Sequence, residues 1–189
     1  MITIGIDPGA EAGLAAVSGS EIVHVRDVRK LAENDPWARI GALQSAAAAC
    51  GLRLTAGGRL WAERNGYWIA VEAQFHGTTV DKRSALKVAG HAAVWEACGL
   101  CVGGSAVRIL PRVYPSSWQA MIGAAKGPSK ARKARAREVL LSHRPDLEHL
   151  RQGAVDAVWI AIYAHGIRLG WDGKRGSIPG WEWVAEAKG

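Results

Sequence analysis

The chain has 189 residues, of which 49% are hydrophobic, and this length predicts one domain that buries a core without disulfide or metal cross-links. Its 24 lysines and arginines exceed its 17 acidic residues, for a formal net charge of +7, which favours an anionic partner such as nucleic acid. No apolar run is long enough to cross a membrane, and the chain starts with a strand pattern instead of a secretion signal. We therefore expect a soluble, intracellular protein that does not bind membranes.

The three cysteines, Cys50, Cys98 and Cys101, predict neither a disulfide framework nor a zinc site. Their number is odd, and a structural zinc ion needs about four ligands. We expect all three to be packing residues without a chemical role.

The first fifty residues predict three strands followed by a helix. Ile2 to Ile6 alternates β-branched with small residues, ends on Asp7 and is followed by a Pro-Gly turn signal. The predicted strands are residues 2–7, 13–18 and 21–25, the last two joined by Gly19-Ser20. Asp35 and Pro36 are a cap and a first-turn proline for a helix that ends at Gly51.

The rest of the chain alternates helix and strand patterns. We predict strands at 67–72 and 107–110 and helices at 81–98, from Pro115, after Pro128-Ser129 and at 150–169. This order predicts an α/β fold with a mixed sheet in which the first and fourth strands are parallel. Asp7 and Glu72, which end these two strands, would then meet. Residues 1–170 are predicted to form the domain, and residues 171–189 a Gly- and Trp-rich tail that is irregular or forms a small appendage.

A third acidic residue lies inside the last predicted helix. Asp156 is on the same side as the small apolar residues Ala157, Ile160 and Ala161, which would pack against the sheet. A carboxylate on a packing face is costly unless its charge is compensated. Because three converging carboxylates repel each other, the pattern predicts a site for Mg²⁺ or Mn²⁺, which prefer oxygen ligands.

Three motifs in order carry a resemblance to a known family: I-G-I-D-P-G, V-E-A-Q-F and G-A-V-D-A-V-W-I-A. They resemble the RuvC-type Holliday-junction resolvases of the ribonuclease H-like superfamily, in the style of phage members, over about residues 1–167. The resemblance implies a three-layer fold with a mixed five-stranded sheet flanked by helices. It also implies a cytoplasmic endonuclease, acting as a homodimer on four-way DNA junctions with two Mg²⁺ ions per site and Mn²⁺ accepted. It leaves open whether a branch-migration helicase takes part.

The resemblance assigns roles to individual residues. Asp7, Glu72 and Asp156 match the catalytic, metal-binding acids, and Phe75 matches an aromatic residue that stacks on a base near the junction centre. Basic residues before the last helix contact phosphate in the family. Here the segment 126–137 has six cations and no acid, and its candidate DNA-binding residues are Lys126, Lys130, Arg132, Lys133 and Arg137.

One position departs from the family pattern. The family has an Asp or His three or four residues before the last acid, where this chain has Gly153 and Gln152. Gln152 lies one helical turn from Asp156, and its amide oxygen is a weak, neutral candidate ligand. The nearby His149, Asp146 and Glu148 are further candidates for the fourth ligand.

Other interpretations remain open. Asp7 and Glu72 can also be turn-capping acids, Phe75 a core residue, and the basic segment a solvated helix. A binding module for branched DNA that lost a ligand, and with it catalysis, is the main alternative function. An actin-like phosphotransferase is disfavoured, because it needs two domains and a second Gly-rich phosphate loop.

Overall fold

The computed structural model describes residues 2–9, 11–28, 35–54, 60–61, 66–73, 82–124, 126–173 and 177–186. Its strands are β1 Ile2–Asp7, β2 Gly13–Ser18, β3 Glu21–Asp27, β4 Arg53–Leu54, β5 Leu60–Trp61, β6 Tyr67–Val71 and β7 Val107–Ile109. Its α-helices are α1 Pro36–Ala49, α2 Lys82–Gly103, α3 Pro115–Met121, α4 Ser129–His143, α5 Gln152–Arg168 and α6 Glu182–Glu186. Short 3₁₀ turns lie at Gly104–Ala106 and Pro145–Leu147.

Five strands form one mixed sheet in the order β3-β2-β1-β6-β7. The pairs β1–β2 and β2–β3 are antiparallel, whereas β1–β6 and β6–β7 are parallel. The predicted parallel pairing of the first strand with Tyr67–Val71 is confirmed, with Ile6 opposite Val71. The backbone N–H of Glu72 donates to the carbonyl of Ile6 at 2.9 Å. Asp7 and Glu72 therefore lie at the same edge of the sheet, where β1 and β6 end.

Helices cover both faces of the sheet. One buried cluster joins Ile4, Ile6 and Leu14 of the sheet to residues of α1 and α2. The other joins Ala15, Val17 and Ala70 of the sheet to residues of α3, α4 and α5. The predicted ribonuclease H-like arrangement, a mixed five-stranded sheet between helical layers, is confirmed.

Helix α5 lies directly on the middle of the sheet. A Cβ atom at Gly5 would come within 2.4 Å of the carbonyl oxygen of Ala157 and the backbone nitrogen of Ala161, so glycine is required on β1 and small residues suit the helix. Trp159 fixes α4 beside α5, because its indole N–H donates to the carbonyl of Ala136 at 3.0 Å. This close packing carries Asp156, at the start of the second turn of α5, to the sheet edge.

The structure differs from the sequence prediction in the bounds of some elements, since α2 runs to Gly103 and β3 to Asp27, and it contains elements that were not predicted. The two-residue strands β4 and β5 pair with each other, and the tail contains the short helix α6. The described part of the tail packs on the core, since Trp171, Ile178, Trp181 and Val184 belong to the cluster around α5.

Two further sequence predictions concern the cysteines and the membrane. All three cysteines are free thiols. Cys98 is buried, as expected of a packing residue, whereas Cys101 is exposed, so the packing prediction is wrong for Cys101. Within the described ranges, none of the helices has the length and hydropathy of a transmembrane segment.

Candidate active site

Asp7, Glu72 and Asp156 are buried at one edge of the sheet. Asp7 is the last residue of β1, Glu72 directly follows β6, and Asp156 projects from α5. Their exposed fractions are 8%, 9% and 5%. The fold therefore places all three predicted acids where a carboxylate is unusual.

Burial raises the pKa of each carboxyl group, and the negative charge of Asp7 also raises the pKa of the other two. The pKa of Glu72 rises to about 8, first because the group is buried and then because of the negative charge of Asp7. The pKa of Asp156 rises to about 7 for the same two reasons, and burial also raises the pKa of Asp7. The charges of Asp7 and Asp156 both act on Glu72, so the three groups form one electrostatic unit.

Each of these carboxylates accepts a hydrogen bond from a neighbour. The backbone N–H of Gly9 donates to Asp7 Oδ1 at 2.9 Å, which is a reason for the Pro-Gly turn after the acid. Gln152 Nε2 donates to Asp156 Oδ1 at 2.8 Å, one helical turn away. In this arrangement the amide of Gln152 orients Asp156, whereas the sequence suggested its oxygen as a weak metal ligand.

Trp118 is a site residue whose contact with Glu72 was not predicted, since its place beside Pro115 and the basic segment suggested only a position under the DNA. Its indole N–H donates to Glu72 Oε1 at 2.9 Å, and its side chain is only 1% exposed. The segment before α3 brings it there, because Val113 pairs with Glu72 beside the sheet. The available sequence signal for this hydrogen bond was a tryptophan in a helix directly after a strand, since a buried indole N–H needs an acceptor.

Lys133 is the predicted DNA-binding residue whose charge acts on all three acids. It is exposed on α4, and its positive charge lowers the pKa of Asp7, Glu72 and Asp156 against the effect of burial. Lys126 and Lys130 are also exposed, just before and within the first turn of α4. Lys133 thus presents positive charge to the acids, while Lys126 and Lys130 are exposed on the same basic segment.

The two arginines predicted to bind DNA contact the protein itself. Arg132 Nη1 donates to Gln119 Oε1 at 2.8 Å. Arg137 donates to the backbone carbonyls of Glu148 and Leu150 and so ties α4 to the segment before α5. DNA contact by these arginines stays a prediction, and Phe75 lies outside the described residues.

The candidates for a fourth ligand have other contacts. Asp146 forms an ion pair with Arg144 at 2.8 Å, and His149 Nδ1 lies 3.1 Å from the carbonyl oxygen of Asp146. Glu148 is exposed. None of these contacts is with Asp7, Glu72 or Asp156. A role of Asp146, Glu148 or His149 as a metal ligand therefore stays a prediction.

Solved structures with the same architecture exist, although no protein-family model and no curated protein matches the sequence. One is RuvC of Thermus thermophilus in complex with a Holliday junction substrate, at 20% identity and a TM-score of 0.51. Another is a Thermus thermophilus RuvC structure, at 21% identity and a TM-score of 0.52. Each match covers 90% of this chain and 97% of the RuvC chain. The chain has the RuvC fold.

The donor set at the edge of this RuvC fold suits a hard divalent cation. It consists of three buried carboxyl groups, and the negative charge of Asp7 raises the pKa of Glu72 and Asp156. A divalent cation would offset that repulsion. Among the described residues, no three His, Cys, Asp or Glu side chains are grouped closely enough to hold a metal ion as they stand. The fit therefore rests on donor chemistry and electrostatics, not on a closed ligand shell.

Proposed function

We propose that the chain is a structure-selective endonuclease that hydrolyses phosphodiester bonds in four-way DNA junctions. The observation that carries this proposal is the electrostatic unit formed, in a RuvC fold, by Asp7 and Glu72 at the ends of two strands and Asp156 on α5. Three buried acids whose pKa values are raised are costly to a protein that only needs to fold. Their retention at one edge is expected of a catalytic site.

Asp7, Glu72 and Asp156 would hold the metal, which we propose to be two Mg²⁺ ions with Mn²⁺ accepted. Bound divalent cations lower the pKa of water and offset the negative charge that develops on phosphate oxygens. The protein's own groups fix the ligands: Trp118 holds Glu72 and Gln152 holds Asp156. Such donors commonly tune metal sites, because they set the orientation of the ligand.

The exposed lysines of the segment 126–137 are suited to the DNA backbone. Lys126, Lys130 and Lys133 are exposed, and the chain carries a net charge of +7. We propose that Lys133 contacts the phosphate to be cleaved, since its charge already acts on all three acids, and that the other two bind flanking phosphates. The junction as substrate is supported by the RuvC structure solved with a Holliday junction.

Symmetric cleavage requires two active sites, which we propose a homodimer provides. A four-way junction has approximate two-fold symmetry, and a two-fold dimer matches it. Helix α2 is the proposed interface, because Leu86 and Leu100 on it are 74% and 51% exposed. Burial of these side chains against a second copy would remove apolar surface from water.

The test is cleavage of a synthetic four-way junction and of a linear duplex with the same sequences, in Mg²⁺, in Mn²⁺ or in chelator. We expect paired nicks in the junction only, dependent on metal and lost in Asp7→Asn. Cleavage of both DNAs at equal rates would contradict junction selectivity. Cleavage that persists in chelator would contradict a metal-dependent site.

A non-catalytic junction-binding module is the second candidate. It is favoured by the absence of a ligand side chain at Gly153. The same experiment separates the two functions, since a binding module would retain the junction on a native gel in Mg²⁺ and leave every strand intact.

A further inference from the structure

Tyr114 is an exposed aromatic residue at the edge of the sheet where the three acids lie. Its side chain is 57% exposed. It directly follows Val113, which pairs with Glu72 beside the sheet. The carbonyl of Val113 also accepts a hydrogen bond from the backbone N–H of Ala73 at 2.7 Å. Tyr114 is therefore one residue away from the backbone contact that joins this segment to Glu72.

The backbone of Tyr114 is held on both sides. Before it, the N–H of Val113 donates to the carbonyl of Val71 at 3.0 Å, and after it, the N–H of Ser117 donates to the carbonyl of Tyr114 at 2.9 Å. Pro115 begins α3, and a proline restricts the preceding residue to extended conformations, as the φ of −74° and ψ of 139° at Tyr114 show. The position of this residue relative to the end of β6 is thus fixed by the fold.

Packing of the core does not explain the aromatic ring of Tyr114. Val113 is buried in the cluster around α5, whereas most of the Tyr114 side chain lies in water. Stabilisation by burial grows with the apolar area removed from water, so the folded chain gains little from this ring. A tyrosine offers a rigid, amphipathic surface that loses little conformational entropy on contact. The ring is therefore available to a partner that reaches the edge of the acids.

The partner that suits this ring is a nucleobase. DNA that is brought to the three acids must pass the edge of the sheet at which Tyr114 lies. Aromatic side chains stack on any base, because every base has a π-face. In a linear duplex both faces of each base are covered by its neighbours, whereas the branch point of a four-way junction interrupts the stack and lowers the cost of exposing a base. A stacking contact at this place would therefore favour branched over linear DNA.

We propose that Tyr114 stacks on a nucleobase at the branch point of the junction and so positions the DNA at the acids. This inference rests on the proposed nuclease function, because the acids are what bring DNA to this edge. Tyr114 is a positioning residue that takes no part in the hydrolysis. Its loss should therefore weaken the binding of junctions and leave the cleavage rate of the saturated complex close to that of the wild type.

The test is fluorescence anisotropy with a labelled four-way junction and with a linear duplex of the same sequences, both in chelator. The variants are Tyr114→Ala, Tyr114→Phe and the control Trp37→Ala. Trp37 is 78% exposed and lies on α1, which covers the opposite face of the sheet from α5. We expect Tyr114→Ala to weaken junction binding about tenfold, as for one lost base stack, and duplex binding by less than about twofold. Tyr114→Phe keeps the ring and should bind like the wild type, as should Trp37→Ala.

A second readout is the split between binding and cleavage. In Mg²⁺, the protein concentration for half-maximal single-turnover cleavage of the junction should rise about tenfold in Tyr114→Ala. The rate at saturation should stay close to that of the wild type. A lower saturating rate with unchanged binding would contradict a positioning role.

The outcomes separate the inference from the proposed function. If Tyr114→Ala binds the junction like the wild type, and the wild type cleaves it in Mg²⁺, Tyr114 stacks on no base and the nuclease proposal stands. Equal losses in Tyr114→Phe and Tyr114→Ala would assign the effect to the hydroxyl group and overturn the inference. Equal losses for junction and duplex would also overturn it. If the wild type neither prefers the junction to the duplex nor cleaves it, both proposals fail.

Discussion

Glu72 is a buried carboxyl group whose ionisation opposes folding in the absence of metal. Between the ordinary glutamate pKa of 4.5, which applies to the unfolded chain, and the folded pKa of about 8, the folded protein holds a proton that the unfolded chain has lost. Stability must then fall as the pH rises through this window. Asp156, with a folded pKa of about 7, acts in the same direction.

Glu72→Gln is therefore expected to gain stability relative to the wild type as the pH rises. Between pH 5 and pH 8.5 in chelator, the difference in free energy of unfolding should shift in favour of the variant by about 1 kcal/mol or more. The amide oxygen can still accept the hydrogen bond from Trp118. Urea denaturation at both pH values measures the shift, and parallel pH profiles of variant and wild type would contradict it.

Gln152 is expected to affect catalysis through the orientation of Asp156. In Gln152→Ala the carboxylate loses the donor at 2.8 Å, so cleavage should fall about tenfold while junction binding in chelator stays at the wild-type level. The loss of this hydrogen bond also raises the pKa of Asp156, because the bond lowers it now. The pH–rate profile should therefore shift to higher pH, and a lower rate with an unshifted profile would argue against the orienting role.

At the scale of secondary structure, α5 is the element that builds the site, and its fit depends on Gly153. Gly153→Ala should destabilise the protein by about 2 kcal/mol or more, because a methyl group there overlaps the backbone of Glu11. The matched control is Gly90→Ala in α2, where a Cβ atom meets nothing within 4 Å. That substitution should stabilise the helix by about 0.5–1 kcal/mol. Similar thermal stabilities for the two variants would contradict the packing described here.

Much of this architecture was predictable because its signals are local. The β-branched run before Asp7 predicted β1, and the Asp35-Pro36 pair predicted the start of α1, where Asp35 Oδ1 accepts a hydrogen bond from the backbone N–H of Trp37. Two predicted strands each end on an acidic residue. Because neighbouring parallel strands have their carboxyl ends on the same side of the sheet, this predicted that Asp7 and Glu72 lie close together.

Other features depend on contacts between distant residues and leave no local pattern. The strands β4 and β5 have two residues each, too few for a periodic signal. The clash that fixes Gly153 arises with Glu11, and the hydrogen bond of Glu72 comes from Trp118. Spacing along the chain does not reveal contacts between residues so far apart in sequence. The hydrogen-bond donor to Glu72 and the neighbour of Gly153 could therefore be identified only in the folded structure.

For the whole molecule, the excess positive charge predicts DNA binding that weakens with salt. If Lys130 contacts a phosphate, Lys130→Ala should lower the slope of log affinity against log salt concentration by about 1. Arg135→Ala on the same helix is the control, because Arg135 already pairs with Glu138 at 3.1 Å. Fluorescence anisotropy with a labelled junction in chelator measures both slopes. Equal slopes for Lys130→Ala and the wild type would show that Lys130 does not contact a DNA phosphate.

The central claim is that Asp7, Glu72 and Asp156 act as one catalytic unit. The most direct measurement is the single-turnover cleavage rate of a four-way junction in Mg²⁺ for Asp7→Asn, Glu72→Gln and Asp156→Asn, with junction binding measured in parallel. We predict that each variant binds the junction at least as tightly as the wild type and cleaves it about a hundredfold more slowly or worse. A variant that cleaves at close to the wild-type rate would remove that acid from the unit and contradict the claim.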